Sequence, residues 1–167
     1  MLVAVDTNVL LDQAVGDEDV IEAISIIQKR LKNVELNVTP TVLHELAWAV
    51  DHAEPETRQA ALDALAHLQE WGYRPLNVIP VGHGIVEQIS LKLRMMGIVP
   101  EEEQNDASLI AESALIGCRI LLSSDTHLLE AQEHDDFRQT LEDFDVEGAD
   151  IVIARPATIV DKFFTAK

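Results

Sequence analysis

Val3-Ala-Val-Asp6-Thr-Asn8-Val-Leu10 carries the pattern of a buried strand running into a helix. An apolar run beginning at Leu2 ends in a carboxylate, and apolar residues then resume after a turn. The run is too short for a helix and does not alternate, as expected of a strand covered on both faces. The same design recurs far downstream in Ile120-Leu-Leu-Ser-Ser-Asp125-Thr-His-Leu-Leu129, another apolar run closed by an acid. Three further runs complete a set of five expected strands: Leu2 to Asp6, Val34 to Val38, Leu76 to Ile79, Arg119 to Leu122 and Ile151 to Ala154.

Between these runs the apolar residues change to helical spacing. Val20, Ile24, Ile27 and Leu31 form one stripe, and Val42, Leu46 and Val50 a second. Leu62, Leu65 and Leu68 form a third, and Leu109, Ile110, Ala114 and Leu115 a fourth. Strands alternating with helices imply an α/β fold, a parallel sheet between two helical layers. Thr39-Pro40 suits a helix start, and Gly72 and Gly117 stand where helices should stop. The segment Glu54 to Tyr73 reads as an extra helix, Met96 to Gln104 as an exposed loop, and Gly82-His-Gly84 as a turn before a helix. With no linker, repeat or low-complexity tract, residues 1–167 are expected to form one domain.

Composition narrows the function. No stretch approaches the roughly 18 uncharged apolar residues of a membrane span, and the N-terminus lacks the basic start and apolar middle of a signal peptide. A soluble, cytoplasmic protein with no membrane partner is expected. The one cysteine, Cys118, sits in apolar context and fits a reducing compartment as a small buried thiol. Twelve Lys and Arg against 30 Asp and Glu give a net charge of −18, which argues against loose binding of a polyanion unless a cation reverses the sign locally. The acidic runs at Asp17 to Asp19, Glu101 to Glu103, Glu133 to Asp136 and Glu142 to Glu147 read as solvated surface.

Four acids stand apart from those runs. Asp6 and Asp125 each follow a strand and open a helix, where a carboxylate can cap the free N–H groups. Glu45 lies inside a helix beside Val42 and Ala49, so its carboxylate borders the stripe that packs on the sheet and needs a partner. Asp106 opens the helix from Asn105 to Gly117 on the face of Leu109 and Ile110. In an open parallel sheet, ligands bind beyond the carboxyl ends of the strands where strand order reverses. If the first and fourth strands are neighbours there, all four acids face one pocket. Two carboxylates about 4 Å apart repel by roughly 4 kcal/mol at an effective dielectric of 20, so four must share protons or hold a cation. Oxygen ligands of this kind suit Mg²⁺ or Mn²⁺.

At these residues the chain resembles the PIN-domain family of toxin-like, metal-dependent ribonucleases. Asp6-Thr-Asn8 after the first strand, Glu45 in Val-Leu-His-Glu-Leu, Asn105-Asp106 opening a helix, Ser123-Ser124-Asp125 after the fourth strand and the closing Arg155-Pro156 carry the likeness over essentially the full length. The resemblance implies a sheet ordered 3-2-1-4-5 and a Mg²⁺- or Mn²⁺-dependent endoribonuclease. It implies Asp6, Glu45, Asp106 and Asp125 as catalytic metal ligands, with Asn8 and Ser123 supporting them. It also implies an RNA substrate, a toxin paired with a basic antitoxin-like protein, and homodimerisation. The chain departs from members with a further acid after the fourth strand, carrying Leu128 and Leu129 there with Glu130 the nearby acid.

Lys92, Arg94 and Arg155 are the expected phosphate contacts, because they flank loops near the proposed mouth. Removing one charge from the cluster by Asp6→Asn is expected to raise stability without metal. Other chemistries fit less well. His44-Glu45 is not a zinc-protease motif, because Trp48 occupies the second histidine position, and the six histidines show no ligand spacing. A phosphoacceptor receiver would carry an Asp after the third strand, where Ile79-Pro80 stands, and an aspartate-nucleophile phosphatase would carry an Asp at Asn8. A non-catalytic PIN-like interaction module is the remaining alternative.

Overall fold

The structure, a computed structural model, describes residues 1–164. The last three residues of the single-domain expectation, 165–167, lie outside the described residues. Val3, Ala4 and Val5 are all fully buried, and because successive strand residues point to opposite faces, layers must cover both sides of β1 (Leu2–Val5). β1 is the middle strand of a five-stranded sheet ordered β3-β2-β1-β4-β5. All four pairings are parallel. β2 (Glu35–Val38) and β4 (Cys118–Leu122) flank it, while β3 (Tyr73–Pro75) and β5 (Val152–Ala154) form the edges.

Parallel strands demand crossovers, and helices supply them. In chain order they are α1 (Thr7–Ala14), α2 (Glu18–Arg30), α3 (Pro40–His52), α4 (Pro55–His67), α5 (Pro80–Met95), α6 (Gln104–Leu115), α7 (Thr126–Glu133), α8 (Phe137–Glu142) and α9 (Pro156–Phe164). Their apolar stripes bury Leu10, Ile27, Leu46, Ile89, Leu93, Ile110 and Leu128 against Leu36, Val38, Leu121 and Leu122 of the sheet. The result is the three-layer α/β/α sandwich. None of the described helices is long and apolar enough to cross a membrane. Cys118 is fully buried, and burial pushes its thiol up to about 12, so it packs as an apolar group.

Several local expectations need correction. The third strand is Tyr73–Pro75, and the run Leu76 to Ile79 is unpaired apart from Leu76 N–H on Val38 O at 2.9 Å. β3 is an edge strand that tolerates Pro75 because the N–H it lacks falls on the open side, and Ile79 is extended because Pro80 follows it at the first position of α5. Gly82 and Gly84 therefore lie within α5, not in a turn before it. A Cβ on Gly82 would come within 3.2 Å of Val78 Cβ and 3.3 Å of Leu115 Cδ2, so the glycine allows α5 to approach α6 closely. The extra helix is shorter than expected and packs through Ala61 and Ala64, leaving Leu62 43% exposed. Between α5 and α6 the loop is anchored by the buried Ile98 and Val99, not exposed throughout. Gly148 is obligatory for another reason, since a Cβ there would lie 2.6 Å from Ala114 O at the end of α6.

Candidate metal centre

The carboxyl ends of β1 and β4 lie side by side, with Val5 opposite Leu122 and Asp6 N–H bonded to Leu122 O at 2.9 Å. Asp6 and Asp125 follow these ends directly. Asp6 is the N-cap of α1 and accepts Thr7 N–H at 2.6 Å, while Asp125 caps α7 and accepts His127 N–H at 2.7 Å. Capping and clustering are thus compatible, since each carboxylate uses one oxygen for the cap and keeps a second for other contacts. α3, which follows β2, brings Glu45, and the first turn of α6 brings Asp106. All four acids line one cleft of about 650 Å³, together with Thr7, Asn8, Leu11, His44, Trp48 and Asn105.

Neighbours fix three of these carboxylates from outside. Asp6 Oδ2 accepts Ser123 Oγ–H at 2.6 Å and Asn8 Nδ2–H at 2.7 Å. Ser123 Oγ also accepts Asp125 N–H at 2.9 Å, so one buried hydroxyl ties the two aspartates together. Asn8 Oδ1 accepts Ser124 N–H at 3.2 Å. Glu45 is held between Thr7, whose hydroxyl donates to Oε2 in a short contact, and Asn105, whose amide donates to Oε1 at 2.8 Å. Asn8 and Ser123 thus both hydrogen-bond Asp6, as Thr7 and Asn105 do Glu45.

Asp106 is the exception. Its Oδ2 is enclosed by protein yet receives no hydrogen bond from the described residues. Burial, then the charges of Asp125, Asp6 and Glu103, pushes the Asp106 carboxyl up to about 7 from 3.8, with His127 opposing. Burial pushes Asp6 up to about 6, with Glu45 and Asp125 adding repulsion and the bonds from Ser123 and Thr7 opposing it. An enclosed oxygen without a donor, set among mutually repelling carboxylates, fits a divalent cation better than any protein group present.

Asp106 also stands beside two groups outside the lining of the cleft, His127 and Glu103. His127 Nδ1 lies 3.6 Å from Asp106 Oδ2, 3.6 Å from Glu103 Oε1 and 3.9 Å from Asp125 Oδ1. The six histidines show no spacing in sequence because His127 meets its neighbours across α6 and α7. The signal was its position in Asp125-Thr-His127, one residue into the helix beyond the capping acid. Lys92, Arg94 and Arg155 do not line the cleft. Lys92 is exposed on α5, and Arg94 donates to Glu101 O at 3.2 Å, which holds the loop after its own helix. Arg155 borders a separate groove with Gln132, Glu133 and Thr158.

Correction of β3 leaves the receiver reading no better placed, because Leu76 and Asn77 follow the strand. Comparison with known structures gives the same fold. A chain of the crystal structure of VapBC2 from Rickettsia felis bound to a promoter DNA fragment matches with a TM-score of 0.62 at 12% identity, over 93% of this chain and 98% of that one. A chain of FitAB bound to the IR36 DNA fragment matches with a TM-score of 0.53 at 16% identity, over 93% and 95%. No curated protein matches the chain in sequence. The family model of the PIN domain matches residues 3–147, a span that runs from β1 through Asp125, and the chain belongs to the PIN-domain family.

Proposed function

We propose that this chain is a metal-dependent endoribonuclease that hydrolyses RNA phosphodiester bonds, acting as one domain in the cytoplasm. The observation that carries the reading is the meeting of Asp6, Glu45, Asp106 and Asp125 in one cleft, with Asp106 Oδ2 lacking any donor. These four carboxylates would hold Mg²⁺ or Mn²⁺. When bound, the cation supplies Lewis acidity, polarising a phosphate oxygen and steadying charge on the departing oxygen.

The chain's own residues set the conditions for that chemistry. Ser123, Asn8 and Thr7 keep Asp6 oriented, and Thr7 with Asn105 keeps Glu45 oriented, so the ligand set needs little reorganisation. Trp48, 56% exposed on the wall of the cleft and stacked on His52 at 4.8 Å, offers a flat face to an unstacked base. Among the described residues no lysine or arginine lines the cleft, so attraction for the phosphate must come from the cation. Lys92, Arg94 and Arg155 would serve only outlying parts of a long RNA.

We further assign the chain to a toxin and antitoxin pair, with a small basic protein as partner. A net charge of −18 suits such a partner, and the VapBC2 and FitAB relatives were solved as complexes on DNA. The test of the catalytic reading is incubation of the pure chain with a mixed RNA pool with and without Mn²⁺, beside Asp125→Asn. Cleavage that requires the ion and vanishes in the variant is expected. Intact RNA with the wild-type chain and Mn²⁺ would leave a non-catalytic interaction module.

A further inference from the structure

We propose that Glu103, Asp106 and His127 form a mixed carboxylate and imidazole cation position, which shares Asp106 with the four-carboxylate cleft and takes Mn²⁺ in preference to Mg²⁺. The proposal rests on the nuclease reading only in that Asp106 is common to both positions.

One ligand atom from each of the three residues lies within 4.8 Å of the others. Glu103 and Asp106 stand three residues apart at the start of α6, which puts them on one face. His127 arrives from the first turn of α7, packed against α6. At 3.6 Å from both carboxylates, the imidazole Nδ1 is too distant to hydrogen-bond either of them. Asp106 Oδ2 is accordingly left without a donor although His127 sits beside it. The gap between these atoms is what a cation would fill. Side-chain exposures of 37% for Glu103 and 41% for His127 leave the position open to an entering ion.

Asp125 is less suited to complete this set, because its Oδ1, the oxygen nearest His127, already accepts the His127 N–H. The donors are then two carboxylates and a nitrogen. Mg²⁺ takes oxygen ligands and gives up its waters reluctantly, whereas a first-row transition ion accepts an imidazole nitrogen more readily, so of these two ions the nitrogen favours Mn²⁺. The oxygen-only set expected from sequence therefore describes the cleft but not its flank.

Pulsed electron paramagnetic resonance on the full chain with one equivalent of Mn²⁺ tests the assignment, with calorimetric titrations of Mn²⁺ and Mg²⁺ alongside. Coupling of the manganese to a directly bound ¹⁴N is expected in the wild type. It should vanish in His127→Leu and in the milder His127→Asn, and persist in His44→Leu. Mn²⁺ affinity should fall about tenfold or more in both His127 variants, with Mg²⁺ affinity changing less than about twofold. Bound Mn²⁺ without nitrogen coupling, or coupling that follows His44, overturns the proposal and leaves the nuclease reading standing. Failure of Mn²⁺ to bind overturns both. Nitrogen coupling in a chain that cleaves no RNA supports this position and removes the nuclease reading.

Discussion

Ser123 Oγ, at the end of β4, donates to Asp6 Oδ2, at the end of β1, over 2.6 Å, and the same hydroxyl accepts Asp125 N–H. Two strand ends are thereby locked in the register that puts two acids side by side. Ser123→Ala removes a bond to a buried carboxylate and leaves the Asp125 amide without its acceptor. Loss of about 1.5 to 3 kcal/mol of stability is expected, read by urea denaturation without metal. The Asp6 carboxyl should move further above its value of about 6, because the hydroxyl opposes the rise. Unchanged stability would remove Ser123 from any supporting role.

Asp106→Asn should act in the opposite direction. The substitution replaces a buried carboxylate, raised by the charges of Asp125, Asp6 and Glu103, with a neutral group of equal size. A gain of about 1 to 2 kcal/mol at pH 7.5 without metal is expected, with loss of RNA cleavage when Mn²⁺ is added. Asp6→Asn, which the sequence suggested as the stabilising change, should show no such gain. Asp6 accepts hydrogen bonds from Thr7, Asn8 and Ser123, and an asparagine amide would point its own donors at them. Thermal melting of the two variants in chelator separates these outcomes.

The same two acids make metal-free stability fall with rising pH. Asp6 is raised from 3.8 to about 6 and Asp106 to about 7. Between pH 4 and pH 7 the folded chain therefore holds protons that the unfolded chain has released. Stability from these groups is fully present below pH 3.8 and is lost as pH climbs through about 6 and about 7. Saturating Mn²⁺ should reverse the slope, because the ion binds the deprotonated carboxylates. Urea midpoints across this window, with chelator and with Mn²⁺, check the sign. Asp106→Asn should flatten the chelator curve, and an unflattened curve would assign the effect to other charges.

Sequence was most informative where a residue's local pattern and its spatial role coincide. The runs before Asp6 and Asp125 are strands because their apolar residues are covered on both faces, and the acids follow because the strands end there. Sheet order was legible only through the family likeness, and the meeting of the four acids follows once β1 and β4 are neighbours where strand order reverses. Edges were harder to read. β3 pairs on one side only and is three residues long, so Tyr73 to Pro75 carries little apolar signal, whereas Val78 and Ile79 carry it without pairing. Nothing in the segment of Glu103 records that α7 returns to the start of α6, and His127 is marked only by standing two residues after Asp125. Lys92, Arg94 and Arg155 were placed by nearness in sequence to loops, a measure that does not say which side of the sheet a side chain occupies.

Glu112 supplies the prediction that separates structural acid from functional acid. It lies on α6, six residues beyond Asp106, and is only 4% exposed, yet it faces α3. Its two oxygens accept Thr41 N–H at 3.1 Å and Thr41 Oγ–H at 2.9 Å. Thr39, the N-cap of α3, makes no side-chain bond, so a carboxylate from another helix satisfies the free N-terminal donors and meets the positive end of the helix dipole. That contact joins the helix carrying Glu45 to the helix carrying Asp106. Glu112→Ala strands two donors and should cost about 2 to 4 kcal/mol. Glu112→Gln keeps an acceptor for the amide, and the threonine hydroxyl can rotate to accept from the new NH₂, so it should cost less. Because removing Asp106's charge stabilises and removing Glu112's destabilises, paired melting curves of the two variants distinguish a cation site from a helix cap. A Glu112→Ala chain that melts with the wild type would show that α3 holds its position without this bond.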